Sequence, residues 1–332
     1  AGFGLNDPIV VGCHTVMNDT ANYALAPSPR GAATVNPLAA AVIVSNGADP
    51  DTISLYSGSS QAGTATLRIT ANYAGGGLIE VDRVPYGFAL NDVLLLAPET
   101  LGDPCTLVQI SADPALSPKP PAKQTVTVGT TADSRFANAA GPAFTGGMAR
   151  AFNLGQANTL SLHTWSVSNG FLQLRASDMA GASANPSTVV DNVVSIKAQY
   201  GFDKNPQPAD GQFNPDNGMV VSEWSSTMIN ADGIGGVGDA ADYQRITALR
   251  VAVVARSRAP ERPAAGADCS ATTVRPVVFG SASPAGVTPA PISVNVAVPG
   301  DPIDWKCYRY RVFETIVPMR NTAWRPFANR KP

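Results

Sequence analysis

Histidine, the side chain most often used for acid–base chemistry near neutral pH, occurs only twice in the sequence, as His14 and His163. A serine or cysteine nucleophile needs an adjacent base, and that base needs an orienting acid. No G-x-S-x-G motif is present. His163 lies in a predicted strand at the parity opposite to Leu160 and Leu162, which favours a side chain at the surface or at a pocket edge. The sequence therefore predicts no catalytic residues.

Metal binding is a weaker possibility that rests on two loops rich in aspartate and asparagine. One extends from Asp203 to Asp216, and the other from Asn230 to Asp242, with Asp232 and Asp239 as its candidate calcium ligands. Ca²⁺ takes oxygen ligands of this kind, but neither loop matches an EF-hand. The alternative interpretation is that these residues only form Asx turns in exposed loops. Two isolated histidines cannot supply a histidine-rich zinc site.

The four cysteines, Cys13, Cys105, Cys269 and Cys307, are far apart and form no C-x-x-C pair. This spacing argues against a zinc ribbon or a thioredoxin-like redox site. An even number suggests two disulfides in an exported protein. Three pairings are possible; Cys13–Cys105 with Cys269–Cys307 is favoured because each bridge then stays within one half of the chain. Four buried free thiols are the alternative.

The composition is typical of a β-rich protein that acts by binding other molecules. Of 332 residues, 44% are hydrophobic and only 14% are charged, and the net charge of −2 gives no electrostatic footprint for nucleic acid. The 30 glycines and 28 prolines favour short strands joined by many turns. The longest apolar runs are of strand length, so no membrane-spanning segment is predicted.

Strand signals run along the whole chain. Two apolar stretches flank Asn46-Gly47, and two alternating runs flank Ser168-Asn169-Gly170, so a hairpin is predicted at each place. Residues 91–98 and 105–112 resemble an antiparallel pair. Further strands are predicted within 188–203, 246–257 and 304–324, with a possible helical turn near 224–229. The expected fold class is a β-dominated α+β fold.

Three segments resemble a known family. The run from Cys307 to Asn321 (CYRYRVFETIVPMRN) is similar to the terminal strand of PilW-type minor pilins of the type IV pilus, and residues 189–203 and 245–257 resemble two further strands of that family. The signature positions of the terminal strand are Tyr308, Arg309, Tyr310, Arg311, Phe313, Glu314, Pro318, Arg320 and Asn321.

The resemblance implies a pilin-like head with antiparallel sheets and long loops. Residues 1–332 would form one head region, with an N-terminal β-rich part at 1–185 and the signature-bearing sheet at 186–332. It also implies that an N-terminal apolar helix precedes this sequence and anchors the native protein in the inner membrane.

The role that follows from the resemblance is non-enzymatic and needs no cofactor. The protein would join other minor pilins and the major pilin in a tip or priming complex that initiates pilus assembly. A PilY-like tip adhesin is a further candidate partner. The expected locations are the periplasm and inner membrane before assembly and the pilus tip or cell surface afterwards, with twitching motility and adhesion as the dependent activities.

Two other functions remain open from the sequence. One is a free-standing secreted adhesin or carbohydrate-binding β-module, and the other is a secreted hydrolase whose site leaves no recognisable motif.

Overall fold

The computed structural model describes residues 7, 9–60, 66–114, 124–130, 134–137, 141–204 and 219–319. Strands dominate, most of them are antiparallel, and helix is almost absent, which confirms the predicted fold class. The described helices are one α-helix, α1 (Ala240–Gln244), and one 3-10 helix (Trp305–Cys307). Within the described part of the chain, no helix has the length and apolar character needed to cross a membrane.

The strands are numbered in chain order. They are β1 (Thr15–Val16), β2 (Ser28–Arg30), β3 (Ala33–Val35), β4 (Ala41–Val44), β5 (Thr52–Ser57), β6 (Thr66–Ile69), β7 (Leu78–Val81), β8 (Asp92–Pro98), β9 (Cys105–Gln109), β10 (Gln124–Thr127), β11 (Ala149–Gln156), β12 (Ser161–Ser168), β13 (Phe171–Ala176), β14 (Ser187–Asp191), β15 (Val193–Phe202), β16 (Glu223–Ser225), β17 (Ile246–Arg256), β18 (Val277–Val278), β19 (Ile292–Ser293) and β20 (Tyr310–Pro318).

The largest sheet has seven strands in the order β1-β9-β8-β11-β6-β7-β10. It curls back on itself, because Ile110, directly after β9, forms a bridge with Val128, directly after β10. Its interior is filled by side chains from alternate positions, as expected for the period of two along a strand. These interior residues include Leu67, Ile69, Ile79, Val81, Leu94, Leu96, Val108, Ile110, Val126, Val128, Ala149 and Ala151.

A five-stranded sheet (β14-β13-β12-β5-β4) and a four-stranded sheet (β16-β15-β17-β20) make up most of the rest. Two small sheets pair β2 with β3 and β18 with β19. The main apolar core draws on all three large sheets, with Leu95, Leu162 and Ile196 as one member from each. Residues before and after 185 thus share a core, and the subdivision at 185/186 stays a prediction.

Strand β15 is buried along its whole length, and it carries a charged residue at its centre. The Lys197 side chain is 0% exposed, as is that of its ion-pair partner Asp51 in the β4–β5 loop. The Lys197 ammonium also donates to the carbonyls of Gly47 at 2.8 Å and Asp49 at 2.9 Å. All three ammonium hydrogens therefore have acceptors, and the ion pair joins the four-stranded sheet to the five-stranded one.

The long segment between β17 and β20 (residues 257–309), here called the covering segment, covers one face of the four-stranded sheet. Phe279, Val294 and Val296 pack there against Ala252 and Val254 of β17. Both disulfides of the favoured pairing are present, Cys13–Cys105 and Cys269–Cys307. The second bridge holds the covering segment close to the start of β20.

Both predicted hairpins are formed, β4–β5 and β12–β13, and residues 91–98 and 105–112 contain the antiparallel pair β8–β9. Asn169 and Gly170 have positive φ angles of 51° and 79°, the combination that the tight turn between β12 and β13 needs. Strand β17 lies between β15 and β20, so its apolar residues are interior to the sheet as predicted.

The predicted helical turn near 224–229 is wrong. Residues Glu223–Ser225 form β16 and pair with the end of β15. The Trp224 indole N–H donates to the Ser283 carbonyl at 2.8 Å, and its ring lies close against Gly201. These tertiary contacts hold the segment extended, and the α-helix instead begins where Asp239 caps Ala240–Gln244.

Candidate functional site

The half-buried His163 has an acidic partner but, among the described residues, no hydrogen-bonded nucleophile. Its Nε2 atom lies 2.7 Å from Asp178 Oδ1, and the Ser161 hydroxyl donates to Asp178 Oδ2 at 2.7 Å. A catalytic triad places histidine between the serine and the acid. Here the carboxylate of Asp178 occupies the middle position, so His163 cannot take a proton from Ser161 through this arrangement.

The second histidine, His14, has a local structural role. Its Nδ1 atom accepts a hydrogen bond from the Asn36 N–H at 3.1 Å, and its backbone forms a bridge with Pro37. The structure does not bring His14 and His163 into one site, since no hydrogen bond or shared cluster joins them among the described residues.

The candidate calcium ligands Asp232 and Asp239 accept hydrogen bonds from nearby backbone groups. Asp232 accepts from the Ile234 N–H at 2.8 Å, and Asp239 accepts from Ala241 and Asp242 at the start of α1. No group of three or more His, Cys, Asp or Glu side chains with metal-binding geometry occurs in the part of the chain that is described. Calcium at Asp232 and Asp239 stays a prediction, and most of the Asp203–Asp216 loop lies outside the described residues.

Asp242, the third carboxylate of the predicted loop at 230–242, was not one of its two candidate calcium ligands. Asp242 is fully buried and accepts hydrogen bonds from the N–H groups of Ala231 at 2.5 Å and Gly238 at 2.7 Å. Burial is the main cause that raises the pKa of this carboxyl to about 6. Asp242 therefore organises the loop through its hydrogen bonds and is an internal titrating group.

This raised pKa predicts a pH-dependent stability. Because the folded state binds the Asp242 proton more tightly than the unfolded state, the resulting stabilisation is fully present below about pH 4 and is lost as the pH rises through about 6. We expect the free energy of unfolding of Asp242→Asn, relative to the parent, to change between pH 4 and 7. Urea unfolding at each pH measures this, with Asp268→Asn at an exposed position as control. A difference that is constant over this range would contradict the assignment.

The signature strand β20 forms one edge of the four-stranded sheet. One set of its side chains holds the covering segment. The Glu314 carboxylate accepts from the Phe279 N–H at 2.8 Å, and the Tyr310 hydroxyl donates to the Trp305 carbonyl at 2.9 Å. Just before the strand, Tyr308 lies under the Arg256 guanidinium, which is 4.2 Å from its ring centroid. Arg320 and Asn321 lie outside the described residues.

Arg250, a buried arginine on β17, also contacts the covering segment. The Arg250 guanidinium lies between the rings of Trp224 and Phe279, 4.6 Å and 4.7 Å from their centroids. Its Nε donates to Gln199 Oε1 at 2.7 Å. Burial lowers the pKa of Arg250 to about 10. The planar guanidinium stacks on both rings, which a lysine ammonium cannot do. Arg250 therefore links Phe279 of the covering segment to the sheet through ring stacking.

The other side chains of β20 are left exposed. Phe313 and Val317, which lie on the face opposite to Glu314, are 54% and 46% exposed, and we call these two residues the edge strip. Phe313 lies opposite Val253 of β17, and Val253 is only half-buried and packs at the margin of the main core. Apolar surface thus continues from β20 onto β17 on the same face of the sheet.

The described residues thus form a disulfide-bonded, β-rich structure with an exposed apolar edge strand. Residues 162–321 match the family model for the type IV pilus-assembly protein W, PilW. The match covers slightly less than half of the chain and includes the strands from β12 to β20. This match supports a PilW-type protein and suggests involvement in type IV pilus assembly. No curated protein and no solved structure gives a significant match.

Proposed function

We propose that this protein is a minor pilin, without enzymatic activity, that joins a tip or priming complex and initiates assembly of the type IV pilus. Its partners would be other minor pilins, the major pilin and a PilY-like adhesin. An N-terminal helix preceding this sequence would hold it in the inner membrane until it enters the pilus tip. The observation that carries the proposal is that the PilW match includes the whole of β20, the strand that carries the edge strip.

The exposure of β20 supports a role in contacts between subunits. An edge strand offers unpaired backbone groups to any strand that approaches, and proteins usually protect such edges with charges, proline or short length. Strand β20 has nine residues, and every residue from Phe313 to Pro318 is exposed. Two of those exposed residues, Phe313 and Val317, are large apolar side chains on one face, which favours a surface that a neighbouring subunit covers.

Deletion of the gene tests the proposal. We expect the deletion strain to lose surface pili and twitching motility, and the intact gene to restore both. A gene with Phe313→Ser and Val317→Ser should fail to restore piliation, because the apolar contact is lost while the exposed positions cost little folding stability. Leu78→Ser, which removes an equally exposed apolar side chain from the seven-stranded sheet, is the matched control and should restore pili.

The outcomes separate the candidate functions. Normal piliation in the deletion strain would contradict a role in assembly. Normal pili with lost adhesion would instead favour the free-standing adhesin. Circular dichroism and thermal unfolding of each purified variant establish that a failure to complement does not come from misfolding.

A further inference from the structure

A second surface feature lies on the seven-stranded sheet, outside the residues that match the PilW family. A surface pocket of about 240 Å³ is lined by Thr66, Arg68, Asp82, Arg83 and Arg150. Arg68 is on β6, Arg150 is on β11, and Arg83 follows β7. Three guanidinium groups from separate segments of the chain thus meet at one open pocket.

Two of these arginines form a like-charged cross-strand pair. Arg150 and Arg68 are direct partners in the antiparallel pairing of β11 with β6, a position at which like charges destabilise a sheet. The Glu99 carboxylate offsets this repulsion. It accepts from Arg68 Nη2 at 3.1 and 3.2 Å and from Arg150 Nε at 3.0 Å. Both arginines lower the pKa of Glu99.

The remaining charges leave the pocket positive. Arg83 pairs with Asp82 at 3.2 Å, so in the contacts among the described residues the three guanidinium groups pair with two carboxylates, Glu99 and Asp82. The arginine side chains are 50%, 64% and 37% exposed for Arg68, Arg83 and Arg150. A guanidinium has five N–H donors, and these contacts use only a few of the fifteen or so that three groups supply. Several guanidinium N–H groups are therefore available to hydrogen-bond a ligand, and one positive charge is not compensated by these two carboxylates.

We propose that this pocket binds a single oxyanion, a phosphate or a carboxylate, through Arg68, Arg83 and Arg150. Guanidinium groups bind both oxyanions with paired, charge-assisted hydrogen bonds. Glu99 occupies part of the same donor set and competes with the ligand. The pocket and the edge strip lie on different sheets, so anion binding here does not depend on the role in pilus assembly.

Titration of the whole chain with inorganic phosphate, and separately with glucuronate, tests the proposal by calorimetry at low ionic strength. We expect saturable binding of at least one probe, and the probe that binds more tightly identifies the oxyanion. Arg83→Gln and Arg150→Gln should each weaken that binding about tenfold, since each removes a charged donor. Glu99→Gln should strengthen binding by a similar factor, because it removes the competing carboxylate.

Arg258→Gln, at an exposed arginine outside the pocket, is the matched control and should leave the affinity unchanged. Thermal unfolding without ligand shows which variants are folded, and Arg83→Gln, at the most exposed of the three arginines, is the variant expected to fold normally. Absence of saturable binding of both probes to the parent chain would overturn the proposal. An equal loss of affinity in Arg83→Gln and Arg258→Gln would overturn it as well, because binding would then follow net charge alone.

Discussion

Replacing Lys197 by methionine is expected to lower the free energy of unfolding by about 3–5 kcal/mol, which is the cost of removing one partner from a buried ion pair. Both side chains of the pair are 0% exposed. Without the ammonium, the Asp51 carboxylate would keep, among the described residues, the hydrogen bonds from the N–H groups of Asn46 at 2.9 Å and Ala198 at 3.0 Å. The carbonyls of Gly47 and Asp49 would lose their donor at the same time.

Urea unfolding of the purified chain measures this change, and the chain offers a matched control. Lys204 pairs with Glu223 at 2.8 Å, but the two side chains are 44% and 42% exposed. Lys204→Met should therefore cost less than about 1 kcal/mol. Adding Asp51→Asn to Lys197→Met should recover part of the lost stability, because the unpaired charge is removed. Similar effects of Lys197→Met and Lys204→Met would show that the pair is hydrated and not buried.

Replacing Cys13 and Cys105 by serine is expected to lower the free energy of unfolding by about 4–5 kcal/mol. The two cysteines are 92 residues apart in sequence, and closing so long a loop restricts the unfolded chain strongly. The bond also fixes the segment around β1 to strand β9. Strand β1 has only two residues, which pair with β9, and Val10 and Val11 pack in the main core just before it.

The second disulfide provides the comparison for this measurement. Cys269 and Cys307 are separated by 38 residues, so their replacement by serine should cost about 4 kcal/mol, slightly less than the first pair. Guanidinium unfolding of both double variants under non-reducing conditions gives the two values. A loss below about 1 kcal/mol for Cys13 and Cys105 would mean that β1 and the main core hold the segment without the bond.

The Lys197–Asp51 ion pair and the Cys269–Cys307 bond both lie in the sheet of β20 or beside the start of that strand. The ion pair at Lys197 joins the four-stranded sheet to the β4–β5 loop, and the bond at Cys307 joins the covering segment to the start of β20. A surface used for subunit contacts gains affinity when it is rigid before binding. Under the proposed function, these two contacts would keep the edge strip rigid before a neighbouring subunit binds.

The sequence by itself determined the features that depend on neighbouring residues. Alternating side chains and the Asn-Gly tips specified the β4–β5 and β12–β13 hairpins, because strand period and turn geometry are local properties. The apolar run in β17 indicated an interior strand, and the residues of β20 carried the resemblance to PilW-type proteins. The spacing of the cysteines favoured the disulfide pairing that the structure contains.

The tertiary structure alone decided the features that depend on distant segments. Trp224 lies in strand β16 and not in a helical turn, because its indole bonds Ser283 and packs against Gly201. Lys197 is buried because Asp51, 146 residues earlier, supplies its counter-charge. Arg68 and Arg150 become neighbours through strand pairing alone. No local pattern encodes such contacts, since each is set by which strands pair and in which register.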